Sequence, residues 1–195
     1  MKVIRLRPYT WNIDKEFHFE MGHRVWAQKL TRPDLSIETE CACKHLHGHS
    51  YMIKVFLGAD ELDQSAMVTD FKNLNFMKEF VDNVLDHKFM IDVNDPNFEL
   101  VTGYNLAQLQ KEFSFPVPKN FTNLGIHAPH TNQAIQLHRN SFVLVDFVPT
   151  SENICKYLYK YAQERIGDFA KVTAVELWET KKSHCRYEEH TEEEV

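Results

Sequence analysis

Cys41-Ala42-Cys43-Lys44-His45-Leu46-His47-Gly48-His49-Ser50-Tyr51-Met52-Ile53-Lys54-Val55-Phe56-Leu57 is the stretch on which the reading of this chain turns. From His47 onward, every second residue is His47, His49, Tyr51, Ile53, Val55 or Leu57, the period of a half-buried β-strand. Strand side chains alternate between faces, so both imidazoles point the same way as the apolar set. Two histidines at the end of an apolar strand face ask for a chemical explanation. Gly48 between them lets another chain segment come close.

Working outward, Phe17, Phe19, Met21 and His23 also alternate and predict a neighbouring strand. His23 shares a face with Phe19 and Met21, which makes it the candidate third partner of His47 and His49. Three neutral histidines with a vacant fourth position are the usual makings of a catalytic zinc site, because zinc accepts nitrogen ligands in tetrahedral geometry. An isolated His-Gly-His is more readily read as a polar strand end without metal; the thiol nearby and the histidine on a matching face shift the balance toward the metal.

Further along, Val3, Ile4 and Leu6 form a short strand-like piece, and residues 24–46, with Arg32-Pro33-Asp34, read as a loop. Asp70 is placed to cap a helix whose apolar positions are Phe71, Leu74, Met77, Val81, Val84 and Leu85, ending near Asp86-His87. After Pro149, Thr150 or Ser151 caps a second helix with Ile154, Leu158, Tyr161 and Arg165 in one row. Val172 to Thr180 and His184 to Glu188 read as an antiparallel pair. Between the helices, residues 98–147 fit no clean period and contain Pro116, Pro118 and Pro129, although Phe142-Val143-Leu144-Val145 suits a strand. That length exceeds an ordinary connection, so an ordered insertion is expected.

The whole has 195 residues, 43% apolar and 26% charged, which suits one compact domain over 1–195 with a sizeable core. Its net charge of −6 is local, since five of its 28 acidic residues lie in the tail 188–195, and that glutamate-rich end is expected to fray. A near-balanced remainder is no nucleic-acid footprint. No apolar run approaches the roughly 18 residues of a membrane span, and Arg5 and Arg7 interrupt the start before any signal-like core. A cytoplasmic protein without membrane partner is therefore expected, and its four cysteines, Cys41, Cys43, Cys155 and Cys185, should be free thiols.

In chain order, Phe19-x-Met21-x-His23, Cys43-x-x-Leu46-His47-Gly48-His49-x-Tyr51, Val68-x-Asp70-Phe71, Leu85-Asp86-His87, Pro149-Thr150-Ser151-Glu152 and Glu179-Thr180 with Tyr187 resemble the 6-pyruvoyltetrahydropterin synthase and 6-carboxytetrahydropterin synthase family. The resemblance covers about 17–97 and 148–188, leaving 98–147 as an insertion outside the family's short common form.

It implies an α+β tunnelling fold (T-fold): an antiparallel four-stranded sheet with two helices on one face. It also implies a homo-oligomer whose sheets join in a ring, with active sites at subunit interfaces. The family's zinc ligands carry over to His23, His47 and His49, its thiol base to Cys43, its Asp-His pair to Asp86 and His87, and its pterin-anchoring carboxylate to Glu179. Thr150 and Glu152 join Glu179 as implied substrate contacts, and Arg24 and Lys44 are the cations considered for the substrate's triphosphate.

The implied activity is a zinc-dependent carbon–carbon lyase converting 7,8-dihydroneopterin triphosphate to 6-carboxytetrahydropterin, acetaldehyde and triphosphate, toward a deazapurine such as queuosine. Cys43, four residues before His47, resembles that branch; Cys41, at a spacing of six, resembles the pyruvoyl branch, which stays open as the alternative. A non-catalytic pterin- or purine-binding assembly is the reading from a different class.

Overall fold

The computed structural model describes residues 9–29, 41–113, 121–167 and 170–189. The strand expected at Val3, Ile4 and Leu6, the loop at Arg32-Pro33-Asp34, Pro116, Pro118 and the tail from 190 lie outside these residues.

Two long strands, β1 (Trp11–His23) and β2 (His47–Ala59), pair antiparallel from Trp11↔Ala59 to His23↔His47. Their alternation buries Phe17, Phe19, Met21, Tyr51, Ile53, Val55 and Leu57 on one face. β6 (Lys171–Thr180) joins β2 antiparallel, and β7 (Ser183–Tyr187) joins β6 in the same sense. On the other flank of β1, β3 (Lys88–Asp92) pairs parallel at Met21 and Gly22. β5 (Phe142–Val145) lies parallel to β3, and β4 (Thr122–Asn123) closes the series antiparallel to β5.

Among the described residues this makes a mixed seven-stranded sheet, ordered β4-β5-β3-β1-β2-β6-β7. The expected four-stranded antiparallel sheet is therefore corrected to a mixed sheet of seven, in which β1, β2, β6 and β7 are the antiparallel part. The reason is burial on both faces of β3 and β5: Met90, Val143 and Val145 belong to the main core, while their neighbours Ile91, Phe142 and Leu144 belong to a second one. A strand covered on both sides shows no polar–apolar alternation, so nothing in Lys88–Asp92 announces it.

Two helical segments cover the main-core face. The first is broken where one helix was expected: a 3₁₀ turn (Phe71–Leu74), α1 (Asn75–Phe80) and a π turn (Val81–Leu85). Asp70 does cap it, accepting from Lys72 N–H at 2.8 Å. The second is α6 (Ser151–Ile166), capped by Thr150, which accepts from Asn153 N–H at 3.3 Å. Its buried row is Ile154, Cys155, Leu158, Tyr159, Ala162 and Ile166, rotated from the expected one; Tyr161 sits on the flank, with Arg165 over its ring. Each of these large apolar side chains contributes about 1.5–3 kcal/mol by leaving water.

The described part of residues 98–147 adds helices to the sheet. These are α2 (Phe98–Thr102), α3 (Leu106–Glu112), α4 (Leu124–His127) and α5 (Gln133–Asn140). Phe98, Leu109, Phe113, Leu124 and Ala128 pack on Ile91, Phe142 and Leu144 to form the second core. Buried Arg139 ties this layer, donating to Glu112 and to the Ala128 carbonyl at 2.8 and 2.6 Å.

Candidate metal centre

The β1–β2 register puts His23 opposite His47 and Met21 opposite His49, so three imidazoles meet at one end of the strand pair. Ring centroids are 4.5 Å apart for His23–His47, 5.3 Å for His23–His49 and 4.9 Å for His47–His49. One ligand nitrogen from each lies within 4.8 Å of the others, a group that can hold a metal ion. Gly48 is needed here: a Cβ on it would approach the Met21 carbonyl oxygen to 3.1 Å.

Backbone carbonyls set two of the rings. His23 Nδ1 lies 2.7 Å from the Pro149 oxygen and His47 Nδ1 2.8 Å from the His45 oxygen. A carbonyl only accepts, so each Nδ1 carries a proton, and Nε2 is the atom left to bind a metal. His23 is 0% exposed, and its Nε2 has no hydrogen-bond partner although Glu179 Oε1 is 3.2 Å away. A lone pair facing a carboxylate is repulsive, so this buried place is satisfied either by a proton on Nε2 that Glu179 accepts or by a metal cation bound to the ring. The donor set fits a transition-metal dication.

Glu179 stands at a register irregularity of β6, where Trp178 pairs with His184 and Thr180 with Ser183, leaving it as the extra residue that a bulge re-aims. Its carboxylate is also 3.5 Å from His49 Nε2. Contact with the His23 imidazole, helped by His49 and the Ser151 hydroxyl, holds its carboxyl below the usual range despite partial burial. Burial pushes the His49 imidazole down, toward the neutral form a metal ligand needs. Tyr51 floors the site, its ring 5.9 Å from His23 and 5.6 Å from His49, and burial pushes its phenol far up so that it stays protonated.

Cys43 lies in a 3₁₀ turn (Ala42–Lys44), and its carbonyl accepts from Val25 N–H at 2.8 Å. Cys41 and Cys43 are hydrogen-bonded neighbours. The Cys43 backbone N–H and thiol lower the Cys41 thiol. That same thiol contact, with burial and the Glu179 charge, raises Cys43. The four cysteines are free thiols.

Asp86 and His87 follow the π turn, where His87 adopts φ +57°. Asp86 Oδ1 accepts from Glu20 N–H at 2.9 Å, Oδ2 meets His87 Nδ1 at 2.8 Å, and His87 N–H donates to the Glu20 carbonyl at 2.7 Å. Although partial burial works against it, the Glu20 and His87 contacts hold the Asp86 carboxyl below its usual range. These bonds join β1 on the flank away from β2, and the His87 side chain is 78% exposed. His87 and His49 both border a shallow surface hollow with Gly22 and Gly48.

The Pro149-Thr150-Ser151-Glu152 turn reaches the site through Pro149 and Ser151, while Thr150 is occupied as helix cap. Glu152 lies toward Cys185, whose thiol its charge helps raise. Arg24 is not free for a triphosphate: its Nε is 3.0 Å from Asp95 Oδ2, a buried pair. Of the other histidines, His138 Nδ1 meets Tyr104 OH at 2.9 Å and His130 Nδ1 accepts from Asn132 N–H at 2.9 Å. The sequence reading missed Asp92 and Asp95, whose Asp-x-x-Asp spacing after an apolar run was the available signal.

Comparison with known proteins completes the picture. The profile of the 6-pyruvoyl tetrahydropterin synthase family matches residues 12–190. The chain belongs to this family. The matched span includes the histidine triad, Cys41, Cys43, Asp86-His87, Glu179 and all of 98–147. Within the family's range, the chain is similar to the 6-carboxy-5,6,7,8-tetrahydropterin synthase of Aquifex aeolicus, 32% identical over 92% of this chain and 98% of that one. It is also similar to the enzyme of the same name from Haemophilus influenzae, 24% identical over 92% and 99%. An uncharacterized protein from Wolinella succinogenes shares the fold with a TM-score of 0.77 and 40% identity, over 91% of this chain and 97% of that one. The 6-pyruvoyl tetrahydropterin synthase of Caenorhabditis elegans, 19% identical, covering 94% of this chain and 99% of its own, shares the fold with a TM-score of 0.54.

Proposed function

We propose that the chain is a zinc-dependent 6-carboxy-5,6,7,8-tetrahydropterin synthase, cleaving 7,8-dihydroneopterin triphosphate to 6-carboxytetrahydropterin, acetaldehyde and triphosphate for a deazapurine such as queuosine. The observation that carries this reading is the triad of His23, His47 and His49 with Nδ1 of two rings fixed on carbonyls. Near full-length similarity to a synthase of that name supports it.

Zinc held there would act as a Lewis acid on side-chain oxygens of the substrate and supply positive charge that lowers the Cys43 thiol. Cys43 takes the proton from a carbon beside a hydroxyl, a step that needs a base of suitable pKa within reach. Asp86 orients His87, which exchanges protons with the reacting side chain. Glu179 offers two carboxylate oxygens to the paired N–H donors of the amino-pyrimidinone edge, while Thr150 and Glu152 serve from the turn that carries Ser151 to it.

The assembly belonging to this reading is a homo-oligomeric tunnelling fold with sites at subunit interfaces, in the cytoplasm. Among the described residues β7 carries an unpaired outer edge, and such edges favour pairing with another chain. His87, exposed and bonded away from the triad, is suited to serve a site shared between copies. No helix of the described residues is long and apolar enough to cross a membrane.

A pyruvoyl synthase is the second reading. Cys41 favours it, being six residues before His47 and the thiol whose pKa is lowered. Release of acetaldehyde from 7,8-dihydroneopterin triphosphate tests the first reading: stoichiometric acetaldehyde supports it, and pterin turnover without acetaldehyde transfers the assignment to the second.

A further inference from the structure

The Cys43 carbonyl is bonded to an irregular segment, Arg24 to Trp26, that leaves β1 directly after His23. What holds that segment is the turn at the far end of β3. Arg24 Nε meets Asp95 Oδ2 at 3.0 Å, and Trp26 Nε1 donates to Asp92 Oδ2 at 2.9 Å. Between these two anchors lies Val25, whose N–H donates to the Cys43 carbonyl at 2.8 Å.

The turn is rigid on its own account. Asp92 Oδ1 accepts from the backbone and side-chain nitrogens of Asn94 at 2.9 and 3.0 Å, and Asp95 Oδ1 accepts from Asn97 N–H at 2.8 Å. Val93 N–H donates to Val145 on β5 at 2.9 Å, which ties the turn to the sheet. Asp95 has a 0% exposed side chain and Arg24 an 11% exposed one. Among the described residues Arg24 Nε and Asp95 Oδ2 have no hydrogen-bond partner besides this ion pair, so removing either charge leaves the other buried without its counter-ion.

We propose that Asp92 and Asp95, acting through Trp26 and Arg24, are positioning residues that set where Cys43 sits relative to the histidine triad. Thus β3 would serve the site at both ends, with Asp86-His87 just before it and the clamp at its close. The consequence for turnover rests on the reading of Cys43 as base; the placement of the thiol does not.

The test is site-resolved alkylation of the full chain with iodoacetamide, reading Cys43 against Cys185 in the same molecules by peptide mass spectrometry. Asp95→Asn should change the Cys43 to Cys185 rate ratio by at least about threefold, since thiol reactivity follows its surroundings. It should leave bound metal unchanged, and lower kcat by about tenfold with KM within about twofold, the pattern of a misplaced catalytic group. Trp26→Phe, which removes the indole donor while keeping an aromatic ring, should move the ratio the same way and covers the case in which Asp95→Asn does not fold. Glu112→Gln breaks a pair remote from Cys43, the buried Arg139 with the half-exposed Glu112, and should leave the ratio at its wild-type value. An unchanged ratio in the clamp variants, or an equal change in Glu112→Gln, overturns the proposal. A changed ratio in a chain that turns over no pterin would sink the functional reading and leave the clamp standing.

Discussion

His23 Nδ1 and the Pro149 carbonyl are 2.7 Å apart, which joins the last residue of β1 to the turn that starts α6. One bond thereby fixes the ring's tautomer, aims its Nε2 at the other histidines, and brings the Ser151 hydroxyl beside Glu179. The site is a junction of strand pair and helix start, so changes to the histidines should act on metal before they act on fold.

Purified chain should accordingly hold about one zinc, as a single three-histidine site would. His23→Ala should lose it, and His47→Ala likewise. Elemental analysis beside circular dichroism checks both; full zinc occupancy in His23→Ala would remove that residue from the ligand set.

A pH prediction follows from His49. Its burial favours the neutral ring, so its folded pKa lies below the ordinary value of 6.5. As pH falls through that value the unfolded chain takes up a proton that the folded chain does not, and metal-free protein loses stability. Between pH 7.5 and 5 the loss should be smaller in metal-free His49→Gln than in metal-free wild type. Denaturant midpoints at the two pH values are the measurement, and equal losses would mean that His49 is not the group responsible.

The two thiols separate by mutation. Cys43→Ala should abolish turnover while zinc content stays unchanged, and Cys41→Ala should keep most activity. Because the Cys41 thiol contact is the leading cause of the raised Cys43 thiol, Cys41→Ala should also make Cys43 alkylate faster at neutral pH. Reversed phenotypes would make Cys41 the base and favour the pyruvoyl product.

Glu179→Ala should weaken binding of a non-reactive pterin by roughly tenfold or more, the usual effect of leaving buried donors unpaired. Zinc content should be retained. Titration of the pterin against both proteins measures this, and equal affinities would show that the carboxylate serves the histidines at 3.2 and 3.5 Å rather than the ring.

Much of this architecture was legible in alternation. Residues Phe17 to His23 and His47 to Leu57 are half-buried, so their period of two gave the strands, the shared face and the triad. The Asp70 cap, and a second cap at Thr150 or Ser151, were legible because a short polar side chain precedes an apolar helical row; the structure chooses Thr150. Lys88–Asp92 and its partnership with Phe142–Val145 were not, since both faces are covered and no period survives. Nor was the Arg24–Asp95 pair, which joins residues 71 positions apart and turns an apparent anion-binding cation into a buried strut. Glu179's place beside the histidines depends on a strand irregularity that no local pattern announces.

The most direct measurement is the mass of the pterin formed when zinc-loaded chain is incubated with 7,8-dihydroneopterin triphosphate. The expected product is 6-carboxytetrahydropterin, formed in step with acetaldehyde and triphosphate and absent with Cys43→Ala. Recovery of 6-pyruvoyltetrahydropterin, or of unreacted substrate from protein holding its full zinc, would contradict the assignment.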